Sequence, residues 1–259
     1  MTTVPSYDAE QLAGLLGMLP DIDSVELKVS VPDADHRRVA DAMGIDVLTA
    51  QIRQVAFFDT ADLRLSESGL VIRARRVQGK DGDVTVKLRP MLPAEVPVRL
   101  RGLEGFKVEV DASPAGFTCS CSLTEDKSDH KVKALMGDAA GLTRLLSEQQ
   151  RDVLEERLPA GVGVEDLRVL GPLTLLKASF APQELSRKMV AELWFLPDGR
   201  RILELSTKAA PSAAFQAAAE SKVFLAARGI DLGAPQETKT RAALAALAEQ
   251  NAEQNGEKP

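Results

Sequence analysis

Five residues in strict alternation, Val25-Glu26-Leu27-Lys28-Val29, set a pattern that returns along the whole chain. Val25, Leu27 and Val29 fall on one side. Glu26 and Lys28 share the other with Ser24 and Ser30. Side chains in a strand repeat every two residues, so this is a strand with one apolar and one charged face, and the charged face carries both signs. From Leu70 to Val77, Arg73 and Arg75 oppose Ile72 and Ala74. From Asp83 to Arg89, Thr85, Lys87 and Arg89 oppose Val84, Val86 and Leu88. From Phe106 to Val110, Lys107 and Glu109 share a face. Residues 51–58, 164–170, 173–180, 187–196 and 200–207 read as further strands, with a short strand pair suggested around Phe117. Gly79-Lys80-Asp81-Gly82 and Pro197-Asp198-Gly199 read as hairpin turns.

Apolar spacing of three and four marks the helices. Residues 1–22 form a helical lead-in, capped by Asp8 and closed by Pro20. A short helix capped by Asp33 or Asp35 runs through Met43 to Gly44. Residues 90–105 read as a loop, and helices follow near 127–136 and 140–157. An alanine-rich helix opens at Pro211 or Ser212 and reaches about Ala227. A closing helix runs from Thr238 to about Ala248. These elements give a lead-in (1–22), a single domain (23–248) and a disordered tail (249–259). The class is α+β, with about eight to ten strands joined mostly as antiparallel hairpins.

Composition narrows the function. The 259 residues carry a net charge of −6 and a pI near 5.2, so neither nucleic acid nor a membrane is expected as a partner through global attraction. No signal peptide or spanning segment is read. The only two cysteines, Cys119 and Cys121, and the only two histidines, His36 and His130, do not supply a four-ligand zinc set. Two reduced thiols in a cytoplasmic protein are the expectation. His36 and His130 read as solvated. Asp59 and Asp62 read as turn formers, and Trp194 as packing.

The mixed charges have two readings. A sheet with one solvated face needs no function for them. If the sheet closes on itself, they converge on a wet interior. Arginines then offer planar two-point donors to phosphate and lysines offer compact charges. Glutamates in the same space call for a hard divalent cation between themselves and the phosphate. That combination suits a metal–polyphosphate site.

Six segments carry a resemblance, in order and spacing: Ser24-Val-Glu-Leu-Lys28, Gln54-Val-Ala-Phe-Phe-Asp-Thr60, Leu65 to Arg76, Val84-Thr-Val-Lys87, Ala191-Glu-Leu-Trp-Phe195 and Ile202-Leu-Glu-Leu-Ser206. Together they resemble CYTH domains, the triphosphate tunnel metalloenzymes. Thr238-Lys-Thr-Arg-Ala242 is similar to the closing helix of the bacterial CYTH group often fused to a CHAD domain, of which none follows here. The resemblance implies an eight-stranded antiparallel β-barrel with a polar lumen and helices outside. It implies a hydrolase of inorganic or small organic triphosphate that uses Mg2+ or Mn2+. By position, Lys28, Arg73, Arg75, Lys87, Lys177 and Lys188 would hold phosphate, and Glu26, Glu109, Glu192 and Glu204 would hold metal. Lys28 and Glu26 are the catalytic candidates, Lys28 by helping to activate water. Two family glutamates are Ser24 and Ser206 here, so one metal or two, and catalysis or binding alone, stay open. The alternatives are a polyphosphate- or nucleotide-binding module and an adenylate cyclase of the CYTH type. The triphosphate's identity and the oligomeric state also stay open.

Overall fold

The computed structural model describes residues 8–254. Residues 1–7 of the lead-in and 255–259 of the expected tail lie outside them. Among the described residues nine strands form one closed barrel: β1 (Ser24–Val31), β2 (Gln51–Asp59), β3 (Leu70–Val77), β4 (Lys80–Leu88), β5 (Phe106–Ser113), β6 (Gly116–Lys127), β7 (Arg168–Phe180), β8 (Met189–Phe195) and β9 (Arg201–Ala209). Their order around the barrel is β1-β5-β6-β4-β3-β2-β7-β8-β9, and β9 returns to β1. Helices α1 (Ala9–Met18), α2 (His36–Ala42), α3 (Arg64–Glu67), α4 (Val98–Arg101), α5 (Asp129–Gly137), α6 (Leu142–Leu145), α7 (Glu148–Arg157), α8 (Ala214–Ala227) and α9 (Lys239–Gln254) complete the chain. None of the described helices is long and apolar enough to cross a membrane.

The expected eight antiparallel strands are corrected to nine with one parallel pair. Strands that alternate in direction close a ring only in even number. With nine, one neighbouring pair must run parallel, and it is β1 with β5, in the register Ser24↔Glu109. Gly116–Lys127 adds a full strand, β6, whereas residues 164–170 and 173–180 do not make two strands. They give a 3-10 turn and then the single long β7. Gly171-Pro172 reads as a break because proline cannot donate to a ladder. Here it sits in an irregularity of the β2–β7 pairing between Val55 and Phe57. Gly171 has φ +114°, and a Cβ there would lie 3.1 Å from the Val55 carbonyl oxygen, so the kink needs glycine.

Other boundaries shift. The first hairpin turns at Gln78-Gly79, with Val77 facing Lys80. Residues 111–126 complete the β5–β6 hairpin. The 90–105 loop contains α4, and the 140–157 helix is broken into α6 and α7, because Ser147 starts a new capping box with Gln150. Asp8 caps α1 as expected, again through a capping box, with Gln11. Neither Asp33 nor Asp35 caps the α2 backbone; Asp35 instead accepts from Arg38 Nε at 3.0 Å. His36 is buried, its Nε2 3.0 Å from the Val31 carbonyl oxygen, rather than solvated.

The apolar faces look outward. Ile72, Ala74, Val84, Val86, Val108 and Cys121 meet Val132 and Leu135 of α5 and Leu154 of α7 in the largest core. Val29, Val31 and Leu205 pack with Val39 of α2 and Phe224 of α8 in a second. Cys119 and Cys121 are free and buried, and burial pushes the Cys119 thiol up to about 11. Gln150, fully buried on α7, donates from Nε2 to the carbonyls of Val84 and Leu123 and so clips β4 to β6 from outside. Replacing it by leucine is expected to lower stability by about 2 kcal/mol, since the buried hydrogen bonds are lost without relief of their partners. Urea melts would check this; a loss below ~0.5 kcal/mol would show that the clip contributes little.

Candidate functional site

Outward apolar faces leave the alternating charges nowhere to go but in. Glu26, Lys28, Arg73, Arg75, Lys87, Lys177, Glu192 and Glu204 line one cavity of about 1570 Å³. Strand order polarises it. Arg73 and Arg75 project from β3, Lys87 from its neighbour β4, and Arg89 from the residue that follows β4. Glu192 and Glu204 project from β8 and β9, on the far side of the ring.

The buried carboxylates here are held by cations of the chain itself. Asp83 receives Arg75 Nε at 2.7 Å and lies 3.6 Å from an Arg73 guanidinium nitrogen. Asp111 lies 2.8 Å from Lys28 Nζ, 3.0 Å from an Arg89 nitrogen and 3.7 Å from Lys87 Nζ. Glu26 pairs with Lys28 at 3.2 Å. Glu109 accepts from Ser24 Oγ at 2.9 Å and from Lys208 Nζ at 2.5 Å, nearer the mouth. Burial works against charge on Asp111, but Lys28, Lys87 and Arg89 outweigh it and hold its carboxyl at about 2. Burial works against charge on Lys28 too, but Asp111 and Glu26 overcome it and raise its pKa. The basic wall is different. Burial lowers Arg73, which Arg75 crowds further, and burial lowers Lys87. Arg73 Nε is buried without a hydrogen-bond partner. This wall has more positive charge and more donors than its own carboxylates satisfy.

One end of the barrel is not polar. Val55 stands opposite Arg75 and Phe57 opposite Arg73, and Leu173, Leu175, Trp194 and Ile202 lie two or four positions from Lys177, Glu192 or Glu204, so all six share the lumen face and also point inward. They pack with Ala242, Ala243, Leu244, Ala246 and Leu247 of α9, and Trp194 stacks on Phe57. Helix α9 therefore lies across that end, and its first residue, Lys239, reaches Glu192 at 2.5 Å and Glu204 at 2.7 Å. Burial disfavours charge on Lys239, but Glu204 and Glu192 raise it.

The structure brings nine of the ten predicted site residues to this lumen. Lys188 is exposed just before β8 and does not line the cavity. Arg201, an odd-numbered neighbour of Glu204 on β9, points outward to Asp33. Sequence reasoning missed Lys239, Asp111 and Asp83. Alternation carried a residue or two further marks Asp111 and Asp83. Lys239 carried another signal: a cation in the first turn opposes the helix dipole unless an anion meets it. The four glutamates expected to hold Mg2+ or Mn2+ do not gather. Among the described residues no three carboxylate, imidazole or thiolate groups lie together as a ligand set, and each of the four is already paired with a lysine. The donors do not fit a divalent ion as they stand.

No family model and no curated protein matches the sequence. Solved structures do. A candidate adenylate cyclase from Bacillus halodurans aligns with a TM-score of 0.59 at 15% identity, over 85% of this chain and 97% of its own. A candidate adenylyl cyclase from Hippeastrum, described as having a dominant triphosphatase activity, aligns with a TM-score of 0.55 at 17% identity, over 79% and 87%. At these identities the likeness is one of fold, and it fits the CYTH-type tunnel that the sequence resembles.

Proposed function

We propose that this tunnel binds and hydrolyses the triphosphate group of a small molecule, either inorganic triphosphate or a small organic triphosphate. The observation that carries the reading is the basic wall: Arg73, Arg75, Lys87 and Arg89 in one enclosed cavity, with an unpartnered buried donor on Arg73. Such a wall is matched by a flexible polyanion with many acceptor oxygens. The dominant triphosphatase activity of the Hippeastrum neighbour supports the same reading.

In this reading Arg73 and Arg75 hold phosphoryl oxygens through paired N–H groups. Lys87, Arg89 and Lys177 spread further charge along the chain of phosphates. Water attacks the terminal phosphorus and the bridging P–O bond breaks, leaving diphosphate or its ester. Charge building on the bridging oxygen is met by fixed cations, which is where most of the rate in phosphoryl transfer comes from. Lys28 stays an ammonium at neutral pH, so it acts by position and charge. No step is assigned to a metal, because the carboxylates do not form a set for one. Phosphate release from tripolyphosphate, thiamine triphosphate and ATP, each with EDTA, Mg2+ or Mn2+, tests the proposal. Chromatography of the ATP products separates hydrolysis from cyclisation. Turnover no higher than that of an Arg75→Ala control would reduce the tunnel to a binding module.

A further inference from the structure

Glu192 and Glu204 stand directly opposite one another on β8 and β9. Cross-strand neighbours lie about 5 Å apart at Cβ, and like charges there repel. Between them, on the lumen side, sits the Lys239 ammonium, 2.5 Å from one carboxylate and 2.7 Å from the other. Its side chain is 17% exposed, and Glu204 is 7% exposed. Lys177 adds a second cation 3.7 Å from Glu192, and Trp194 Nε1 donates to the same glutamate at 3.4 Å. Lys239 is not free to leave. It opens α9, whose apolar face is locked against the inward residues of β2, β7 and β8.

We infer that Lys239 serves as a built-in cation in the position a divalent ion would need, so that the tunnel takes its polyphosphate in metal-free form. The inference rests on the proposed triphosphate reading and specifies the chemical form of its ligand. A divalent ion between Glu192 and Glu204 would have to expel an ammonium already paired with both. That would leave the ammonium buried beside a dication, and an uncompensated buried charge is strongly disfavoured. A hard cation also needs about six oxygens. Ser206, next along the same face as Glu204, adds a hydroxyl and no charge. The ammonium of Lys239 instead presents its remaining N–H donor to the lumen, where a phosphate oxygen can accept it.

Calorimetry of the full chain with tripolyphosphate, in EDTA and in excess Mg2+, tests this. Affinities referred to the free anion should agree within about threefold. Binding that is at least tenfold tighter with Mg2+, or that needs it, overturns the inference and leaves the proposed function standing. No binding under either condition overturns that function itself. A second readout uses Mn2+ alone, followed by electron paramagnetic resonance. The unmodified chain should leave Mn2+ free at millimolar concentration. Lys239→Met, verified as folded by circular dichroism, should bind one ion per chain and lose it when Glu204→Gln is added. Stoichiometric Mn2+ on the unmodified chain, or none on the folded variant, would each refute the assignment.

Discussion

Arg73→Ala with Arg75→Ala is expected to weaken tripolyphosphate binding by two orders of magnitude or more. The two guanidiniums stand in alternate positions of β3, flanked by Lys87 on β4, and Arg73 keeps a buried N–H unpaired. Hydrogen bonds to charged partners are worth about 1.5–3 kcal/mol each. Losing one strong contact from each arginine gives about 3–6 kcal/mol, a factor of at least a hundred. The double change also strands Asp83, which is 4% exposed and rests on both arginines. A loss of binding through unfolding must therefore be separated from a loss of ligand contacts. Adding Asp83→Asn removes the stranded charge, so the triple variant should regain much of its thermal stability without regaining affinity. If affinity returns along with stability, the arginines support the barrel and do not grip phosphate.

The second large effect has opposite signs for stability and binding. Asp111, 6% exposed, is the carboxylate that Lys28, Lys87 and Arg89 share. Asp111→Asn leaves Lys87 and Arg89 without a carboxylate and Lys28 with Glu26 alone, and breaking a buried cluster of this kind costs about 3–5 kcal/mol. The same change frees those cations for an anion, so tripolyphosphate should bind more tightly and restore more of the melting temperature than it adds to the unmodified chain. The acid limb of stability follows from the same residue. Its folded pKa, about 2, lies below the ordinary 3.8. Its contribution is therefore complete above pH ~4 and lost as pH falls toward 2. The shift amounts to about 2–3 kcal/mol, at about 1.4 kcal/mol per unit. Urea midpoints measured at pH 5 and pH 2.5 should differ by less in Asp111→Asn than in the unmodified chain. Equal differences would place the acid sensitivity elsewhere.

Much of this was legible in the chain. Alternation placed Lys28, Arg73, Arg75, Lys87, Glu192 and Glu204 on faces that do converge, because a period of two is local and survives any choice of partner strand. What alternation does not contain is pairing. The parallel contact of β1 with β5 joins residues 85 apart, and nothing near Ser24 announces it. The single strand through Gly171-Pro172 was hidden by residues that break most strands. The resemblance puts Lys188 within a strand read from residue 187, but β8 begins at Met189, so the face pattern does not extend to it. The sequence places Lys239 in a helix, but only the packing of α9 shows which end of that helix enters the barrel. The paired state of the glutamates is likewise a property of side chains brought together from distant strands.

The seam has a consequence for how the molecule is made. β1 belongs to no local hairpin: it bonds to β5 on one side and β9 on the other. Until Ala209 reaches Val25, the growing sheet carries two open edges, the feature most prone to pairing with another chain. Long-range closure of this kind slows folding. Trp194, the single tryptophan, lies at the end sealed by α9 and should report closure as a late fluorescence change in refolding, after most secondary structure has formed. Coincident fluorescence and circular dichroism phases would mean that the ring shuts as it forms.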